Sequence, residues 1–425
     1  MRSRSPQVVI VGAGPAGLMA ALTLATYDID ALLLDKRGGT GEVSRALVAS
    51  ARTLELLRRF GFEDAVRATA VEVVPCAWVT ANVRSAEGRQ QPLGYPVGAD
   101  AARMSPTPPL WAPQHLWEPL LLERLKTLPR IGVGLRCETE SVSLLDDGAL
   151  VTFVEAETQQ REQVRTSYVV AADGAHSVVR RGLGIGMDGP DDLAEVDRVE
   201  FGGRRSSPWS DRMRAQRRHQ SRSRRRPRPA RQRWTLGHHA RHNWADATVG
   251  RNEYVAPGGY VQRLLGVECV DVQIEGVRTL AQLATSFPTG PVFLAGDAAH
   301  RSTPRGGTGM NMAIQDGFDF GWKLGFVLSG WASADLLATY EIERRPVAAH
   351  HVERSAGIEG AVQTDEEALP WDLDGRIAHH WVAPNISTTD LPGPGLTLLL
   401  GPSAKRLLVG ASETVDRPRA RPQRL

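Results

Sequence analysis

Cysteine is scarce in this sequence, which contains only Cys76, Cys137 and Cys269 among 425 residues. Their number is odd and their spacing matches no zinc-ligand pattern, which argues against a disulfide framework and against a metal centre. The chain also lacks any run of about 18 apolar residues, the length that a membrane-spanning helix requires. We therefore expect a protein of the reducing cytoplasm that has no metal and does not span a membrane.

Lysine is also rare, and arginine supplies nearly all of the positive charge. The segment from Arg204 to Arg241 holds 14 arginines and one acid, Asp211, which gives it a charge of +13. The formal net charge of the whole chain is +3, so the other residues together carry −10. Few aromatic residues interleave the basic run and no binding fold frames it, so we do not expect a nucleic-acid partner.

The chain opens with a pattern typical of a strand, a helix and a second strand. Gln7–Val11 and Ala31–Asp35 are short apolar runs that predict buried strands, and Gly14–Ala25 between them predicts a helix. The length of the chain is too great for one ordinary core. The opening therefore predicts an α/β domain within a larger, multi-domain chain.

A glycine-rich turn, GAGPAG at 12–17, joins the first strand to the helix. Gly12 permits the tight turn, Gly14 lets the backbone approach a pyrophosphate, and Gly17 lets the helix pack closely on the strand. The free N–H groups at the helix N-terminus favour bound phosphate. Asp35 ends the second strand, where its carboxylate can accept hydrogen bonds from ribose hydroxyls. Together these features predict a dinucleotide site and leave the choice between NAD and FAD open.

Two distant regions make that choice. The sequence FLAGDAAH at 293–300 and the loop TPRGGTGMN at 303–311 are similar to the GD motif and flavin loop of the FAD-dependent aromatic hydroxylases. These are the class A flavoprotein monooxygenases of the p-hydroxybenzoate hydroxylase type, with a bacterial polyketide and phenol hydroxylase branch. VAADGAHS at 170–177 resembles the DG motif of the same family. The motifs stand in the family's order, and the resemblance covers about 1–190 and 254–400.

The resemblance implies a glutathione-reductase-type α/β fold, in which a Rossmann-like FAD-binding domain is interleaved with a β-sheet substrate domain. It assigns 1–70, 106–190 and 287–390 to the FAD-binding domain, 71–105 and 191–286 to the substrate domain, and 391–425 to the start of a C-terminal thioredoxin-like domain.

The resemblance also implies which residues hold the cofactor. The glycines near the flavin bring backbone close to the ring, and the helix that starts near Gly309 directs N–H groups toward its pyrimidine edge. No catalytic side chain is identified; Pro304 and Gly307 of the flavin loop are the candidates, and we expect His176 and His300 to be hydrogen-bonded neighbours and not bases. The predicted cofactor-binding residues are Gly12, Gly14, Gly17, Asp35, Arg45, Gln114, Asp173, Gly296, Asp297, Gly307, Gly309, Met310 and Asn311.

Family chemistry implies that FAD accepts hydride from NAD(P)H, captures O2 as a C4a-hydroperoxide and passes one oxygen to a phenolic or polyketide aromatic substrate. The protein's part is then binding, orientation and electrostatics. Two alternatives stay open: another flavin oxidoreductase of the same fold, and a homologue that binds FAD but is catalytically impaired.

The second alternative has a basis in the sequence. Residues 202–243 lack a strand pattern at the place where relatives build the sheet over the substrate, and their arginine-rich composition predicts a disordered or aberrant segment. We therefore expect loosely held substrate, and hydrogen peroxide as a major product.

Overall fold

The computed structural model describes residues 5–41, 45–72, 76–79, 89–92, 98–203, 232–238, 269–304, 307–357 and 377–395. The described residues fall into two compact units. The first contains those up to 72, from 98 to 188 and from 283 onward, and the second contains 76–79, 89–92, 189–203, 232–238 and 269–282.

The α-helices in the described residues are α1 (Pro15–Ala25), α2 (Ala51–Arg59), α3 (Glu63–Thr69), α4 (Gly98–Met104), α5 (Gln114–Thr127), α6 (Val178–Gly182), α7 (Gly309–Leu328) and α8 (Ala338–Ala356). The strands are β1 (Val8–Val11), β2 (Ala31–Asp35), β3 (Val48–Ala49), β4 (Val71–Glu72), β5 (Cys76–Val79), β6 (Arg89–Pro92), β7 (Leu110–Trp111), β8 (Ile131–Leu135), β9 (Cys137–Leu145), β10 (Gly148–Glu155), β11 (Arg161–Thr166), β12 (Tyr168–Ala171), β13 (Met187–Asp188), β14 (Ala194–Gly203), β15 (Gln232–His238), β16 (Cys269–Thr279), β17 (Gln282–Ala284), β18 (Pro288–Thr289), β19 (Val292–Leu294), β20 (His300–Arg301), β21 (Trp381–Ala383) and β22 (Ile386–Ser387). Short 3-10 turns occur at Gly296–Ala298, Ala334–Leu337 and Thr388–Asp390.

A six-stranded sheet forms the centre of the first unit, in the order β18-β19-β12-β1-β2-β8. The strands from β19 to β8 run parallel, and β18 pairs antiparallel at the edge. The four residues of β1 are at most 4% exposed, because a parallel strand inside such a sheet is covered on both faces. The predicted α/β class and the opening β1–α1–β2 unit are confirmed.

Helices α1 and α7 pack against each other through glycines of α7 that are spaced four residues apart. A Cβ atom at Gly317 would lie 2.2 Å from the Ala16 carbonyl oxygen, and one at Gly321 would lie 2.7 Å from Thr23 Cβ. Because residues four apart share one face of a helix, these glycines bring the two backbones close together. This contact holds α7, which follows the flavin loop, against α1, which follows the glycine-rich turn.

Replacement of Gly317 by alanine is expected to destabilise the fold by about 2–3 kcal/mol, because the added methyl group meets backbone that cannot move aside. The midpoint of chemical denaturation measures this effect. Gly182→Ala is the matched control, since Gly182 is exposed at the end of α6 and a Cβ there meets no atom within 4 Å. That control should be neutral or slightly stabilising. Equal midpoints for the two variants would contradict the close helix contact.

The second unit contains an antiparallel sheet in the order β15-β14-β16. Strand β15 pairs antiparallel with β14 from Asp197↔His238 to Gly203↔Gln232. The prediction that 202–243 holds no strand is therefore wrong for 202–203 and 232–238; residues 204–231 and 239–243 lie outside the described residues. Composition misled because the pairing of β15 with β14 depends on a segment distant in the chain, which the arginine content of the sequence does not reveal.

Two further predictions differ from the structure in detail. The apolar spacing of residues 46–60 predicts a helix over that whole range. The observed helix α2 begins only at Ala51, because the Ser50 hydroxyl accepts a hydrogen bond from the Thr53 N–H. Residues 98–104, predicted in the substrate domain, belong to the first unit as α4. Of the predicted thioredoxin-like remnant, 396–425 lie outside the described residues. No helix in the described part of the chain has the length and apolarity needed to cross a membrane.

Candidate functional site

The predicted cofactor residues come together at one edge of the central sheet. Gly12 follows β1, Asp35 ends β2, Asp173 follows β12, and Asp297 follows β19. These four strands are parallel neighbours, so their carboxyl ends lie side by side. In open α/β sheets this edge is where ligands bind.

The glycine-rich turn has the properties that the sequence predicts. Gly12 has φ +106°, and a Cβ there would lie 2.2 Å from the Ala172 carbonyl oxygen. A Cβ at Gly17 would lie 1.9 Å from the Gly12 carbonyl oxygen. Gly14 differs, because a Cβ there meets no protein atom within 4 Å. The protein thus occupies the space beside Gly12 and Gly17 and leaves free the space beside Gly14.

The N-terminus of α1 has no competing anion of its own. Gly14 is its N-cap and offers no side chain, and the first turn of α1, all of it described, contains no acidic residue. The early N–H groups of a helix lack intrahelical partners and carry the positive end of the helix dipole. This end of α1 can therefore accept a phosphate group.

Asp35 is buried and fixes the turn from the side. Its Oδ2 accepts a hydrogen bond from the Ala13 N–H at 2.7 Å, and its Oδ1 accepts from the Arg37 N–H at 2.8 Å. The Arg37 guanidinium also contacts this carboxylate, with Nε 3.1 Å from Oδ1. Asp35 therefore supports the glycine-rich turn in addition to facing the edge where a ribose is expected.

The GD motif is held by a buried ionic network that centres on Asp316 of α7. Its Oδ2 lies 2.5 Å from His300 Nε2 and accepts from the Gly296 N–H at 3.0 Å, and its Oδ1 accepts from Arg344 Nε at 2.8 Å. The charges of His300 and Arg344 outweigh burial and lower the pKa of Asp316 to about 2. His300 is fully buried in this network, as expected of a hydrogen-bonded neighbour.

Asp297 projects from the network toward solvent. Gly296 before it has φ +62°, a left-handed conformation that Asp316 stabilises through its amide contact. The Asp297 side chain is exposed, yet burial by surrounding protein raises the pKa of its carboxyl, against the opposing effects of His300 and Arg45.

The DG motif forms a capped turn beside the GD motif. Asp173 Oδ2 accepts from the Val179 N–H at 3.2 Å, and Ser177 Oγ accepts from the Arg180 N–H at 2.9 Å, so both side chains cap α6. Arg180 is buried and donates to the carbonyl oxygen of Ala298 at 3.0 Å, which joins the two motifs. Burial raises the pKa of Asp173.

The flavin loop is fixed by Asn311 in the first turn of α7. Asn311 Nδ2 donates to the carbonyl oxygens of Gly307 at 2.8 Å and Val48 at 3.0 Å. Its Oδ1 accepts from the Ser50 N–H at 2.9 Å and the Thr53 hydroxyl at 2.8 Å. The Asn311 side chain therefore links the flavin loop to the start of α2 through hydrogen bonds. The sequence did not predict this role.

The other predicted residues of the flavin loop are close to Asn311 in the chain. Gly307 has φ +63°, and a Cβ at Gly309 would lie 3.1 Å from the Ser302 hydroxyl. The first hydrogen bond of α7 runs from the Met312 N–H to the Thr308 carbonyl oxygen, so the amides of Gly309, Met310 and Asn311 precede it. Pro304 precedes residues 305–306, which lie outside the described part of the chain.

Gln114 bonds to the residue that follows Arg45 and to a buried acid, Glu118, that was not among the predicted site residues. Gln114 starts α5, and its backbone N–H donates to the Ala46 carbonyl oxygen at 3.0 Å. Its side chain donates to Glu118, which is only 3% exposed, at 3.0 Å. The four-residue spacing of Gln114 and Glu118, which puts the two side chains on one face of a helix, was the signal available in the sequence.

The matching family model is the FAD binding domain, and it covers residues 5–355. This chain belongs to the FAD-binding-domain family. The family expected from the sequence is therefore confirmed, and so is FAD as its cofactor.

Similar proteins agree with this family. A Streptomyces halstedii protein named as a polyketide hydroxylase is 32% identical over 82% of this chain and 64% of its own length. The phenol 2-monooxygenase of a Pseudomonas species is 33% identical over 83% of this chain and 58% of its own. The flavin-dependent monooxygenase PieE, solved with FAD and substrate, aligns with a TM-score of 0.71 at 28% identity, over 84% of this chain and 63% of that one. The chain spans less than two thirds of the length of these three proteins.

The site fits the FAD of its family. The protein leaves space beside Gly14 where a pyrophosphate would approach, and the N-terminus of α1 presents amides there. Asp35 ends β2 and Asp297 follows β19, so two carboxyl groups lie at this edge. These features span the sheet edge as a long dinucleotide requires.

Proposed function

We propose that this protein is an FAD-dependent monooxygenase of the cytoplasm that hydroxylates an aromatic substrate of the phenol or polyketide class with NAD(P)H and O2. The observation that carries the proposal is the shared edge at which the glycine-rich turn, the DG motif and the GD motif meet. The family match and the names of the similar hydroxylases support it. The alternative of a catalytically impaired enzyme was based on the expected absence of strands over 202–243. It loses part of that basis, because residues 232–238 form β15 and add a strand to the sheet of the second unit.

In this proposal the chain's residues bind and orient. Gly14 and the α1 N-terminus receive the pyrophosphate, while Asp35, Asp173 and Asp297 accept hydrogen bonds from the cofactor. Asn311 holds the flavin loop at a fixed distance from α2. FAD, when bound, supplies the redox chemistry between NAD(P)H, O2 and the aromatic ring.

The test is a set of reactions of the FAD-loaded protein with NADH or NADPH and a panel of phenols, naphthols and hydroxylated polycyclic quinones. Oxygen-18 gas labels the product, and peroxide is measured in parallel. The proposal predicts one labelled oxygen in a hydroxylated product and less peroxide when that substrate is present. Consumption of O2 that yields only peroxide with every aromatic compound would instead identify an oxidase or an impaired homologue.

Replacement of Asp297 by alanine is expected to weaken FAD binding by about 2–3 kcal/mol, because cofactor hydroxyls lose their acceptor in a desolvated site. Fluorescence titration of cofactor-free protein with FAD measures the dissociation constant. Asp297→Asn keeps one acceptor oxygen and should lose less. Asp335→Ala, in the remote turn at 334–337, is the control and should bind FAD as the unaltered protein does. If all of these proteins bound FAD with the same dissociation constant, Asp297 would not be a cofactor-binding residue.

A further inference from the structure

Glu118 is a buried carboxyl group bonded to Gln114, a residue predicted to hold FAD, and its charge interacts with that of Arg45, a second predicted cofactor residue. Its Oε1 lies 3.0 Å from Gln114 Nε2. The Gln114 backbone in turn bonds to Ala46, the residue directly after Arg45. Glu118 itself is 3% exposed, so water does not stabilise its charge.

The positive charges around Glu118 do not fully stabilise its ionised form. Burial raises the pKa of Glu118 to about 7, and the Gln114 hydrogen bond and the charges of Arg37 and Arg45 only partly oppose that rise. Arg37 forms its close ion pair with Asp35, whose own charge disfavours a second carboxylate nearby. Glu118 therefore changes charge near neutral pH, unlike an ordinary surface glutamate.

Bound FAD would change this balance. The charge of Glu118 interacts with that of Asp35, which ends β2 at the edge where we place the cofactor. The pyrophosphate is negatively charged and would repel a poorly solvated carboxylate at that edge. A neutral Glu118 removes that repulsion and leaves the positive charge of Arg45 to the phosphates. Its carbonyl oxygen can still accept the Gln114 amide hydrogen, so the orientation of Gln114 is kept.

We propose that Glu118 is a positioning residue that holds Gln114 in place and couples FAD binding to the uptake of one proton. FAD then binds more tightly on the acidic side of neutrality and is released more easily on the alkaline side. The inference rests on the FAD binding of the proposed function and on the predicted roles of Arg45 and Gln114, but on no step of hydroxylation.

The experiment is a titration of cofactor-free protein with FAD between about pH 6.5 and about pH 8.5, on either side of neutrality. For the unaltered protein we expect the dissociation constant to rise by about five- to tenfold over this range, because each unit of pH can change a linked affinity by up to about tenfold. Calorimetry near neutral pH in two buffers with different ionisation enthalpies should show net proton uptake on binding.

Glu118→Gln is the decisive variant, since glutamine has the shape of the neutral acid and cannot ionise. It should keep the tighter, low-pH affinity across the range and show reduced proton uptake. Glu123→Gln is the matched control, because Glu123 lies on the same helix, 68% exposed, and pairs with Lys126. This control should retain the pH dependence of the unaltered protein.

An identical pH dependence in Glu118→Gln and the unaltered protein would overturn the inference. If that variant does not fold, as judged by circular dichroism, calorimetry of the unaltered protein decides alone, and absence of proton uptake overturns the inference. Failure to bind FAD at every pH would instead contradict the cofactor assignment. Failure to hydroxylate any aromatic compound would leave the titration result unaffected, so the two proposals are tested separately.

Discussion

Gly14→Val is expected to yield a folded protein that does not retain FAD. The backbone at Gly14 has φ −83° and ψ −176°, an extended conformation that valine adopts without strain. The side chain meets no protein atom at its Cβ, so the fold has no reason to change. The valine side chain would occupy the space into which we place the pyrophosphate, and binding should weaken by at least about a hundredfold, since close backbone approach is what this glycine provides.

The absorption spectrum of the purified variant and a fluorescence titration with FAD measure this loss, and circular dichroism tests the fold. Gly393→Val is the matched control, because a Cβ at Gly393 also meets no atom within 4 Å but the residue lies on the exposed segment after β22. The purified control should retain FAD and show its absorption spectrum. A Gly14→Val protein that retains FAD would show that the cofactor does not pass this turn.

Asp316→Asn is expected to destabilise the protein by about 3–5 kcal/mol, because it leaves the charges of a fully buried network without their common partner. His300 and Arg344 both lose the carboxylate, and the Gly296 amide competes for a single remaining oxygen. Chemical denaturation measures the free energy of unfolding. Asp146→Asn is the control, since Asp146 is exposed in the turn between β9 and β10. A loss no larger than that of the control would contradict the network.

The contribution of Asp316 also depends on pH in a defined direction. Its pKa in the folded protein is about 2, below the value of about 3.9 for an unfolded aspartate. The ionised group therefore stabilises the fold above the unfolded pKa, and the stabilisation is lost as pH falls through the folded pKa. The difference in unfolding free energy between the unaltered protein and Asp316→Asn should narrow on acidification toward about pH 2. A constant difference over that range would show that Asp316 is not the titrating group.

Short segments of the sequence are enough to predict the features that depend on local conformation. The turn from Gly12 to Gly17, the helix after it and Asp35 at the end of β2 depend on residues close together in the chain. Their conformation follows from the freedom of glycine, from helix capping and from the period of apolar residues. The motif order added the family and FAD, which the family model confirms. The cofactor residues named from the motifs, as a set, stay predictions.

The way in which distant segments constrain one another could be learned only from the folded chain. Asn311 reaches Val48 and Ser50, and Asp316 reaches Gly296 and Arg344, through contacts that no local pattern specifies. The same holds for β15, which pairs with β14 although the arginine-rich composition around it predicts disorder. Glu118 is the clearest case, because a glutamate in a helix is an ordinary surface residue until packing removes the water around it and shifts its pKa. Burial and charge proximity are properties of the folded chain, and they decide which polar residues can serve the site.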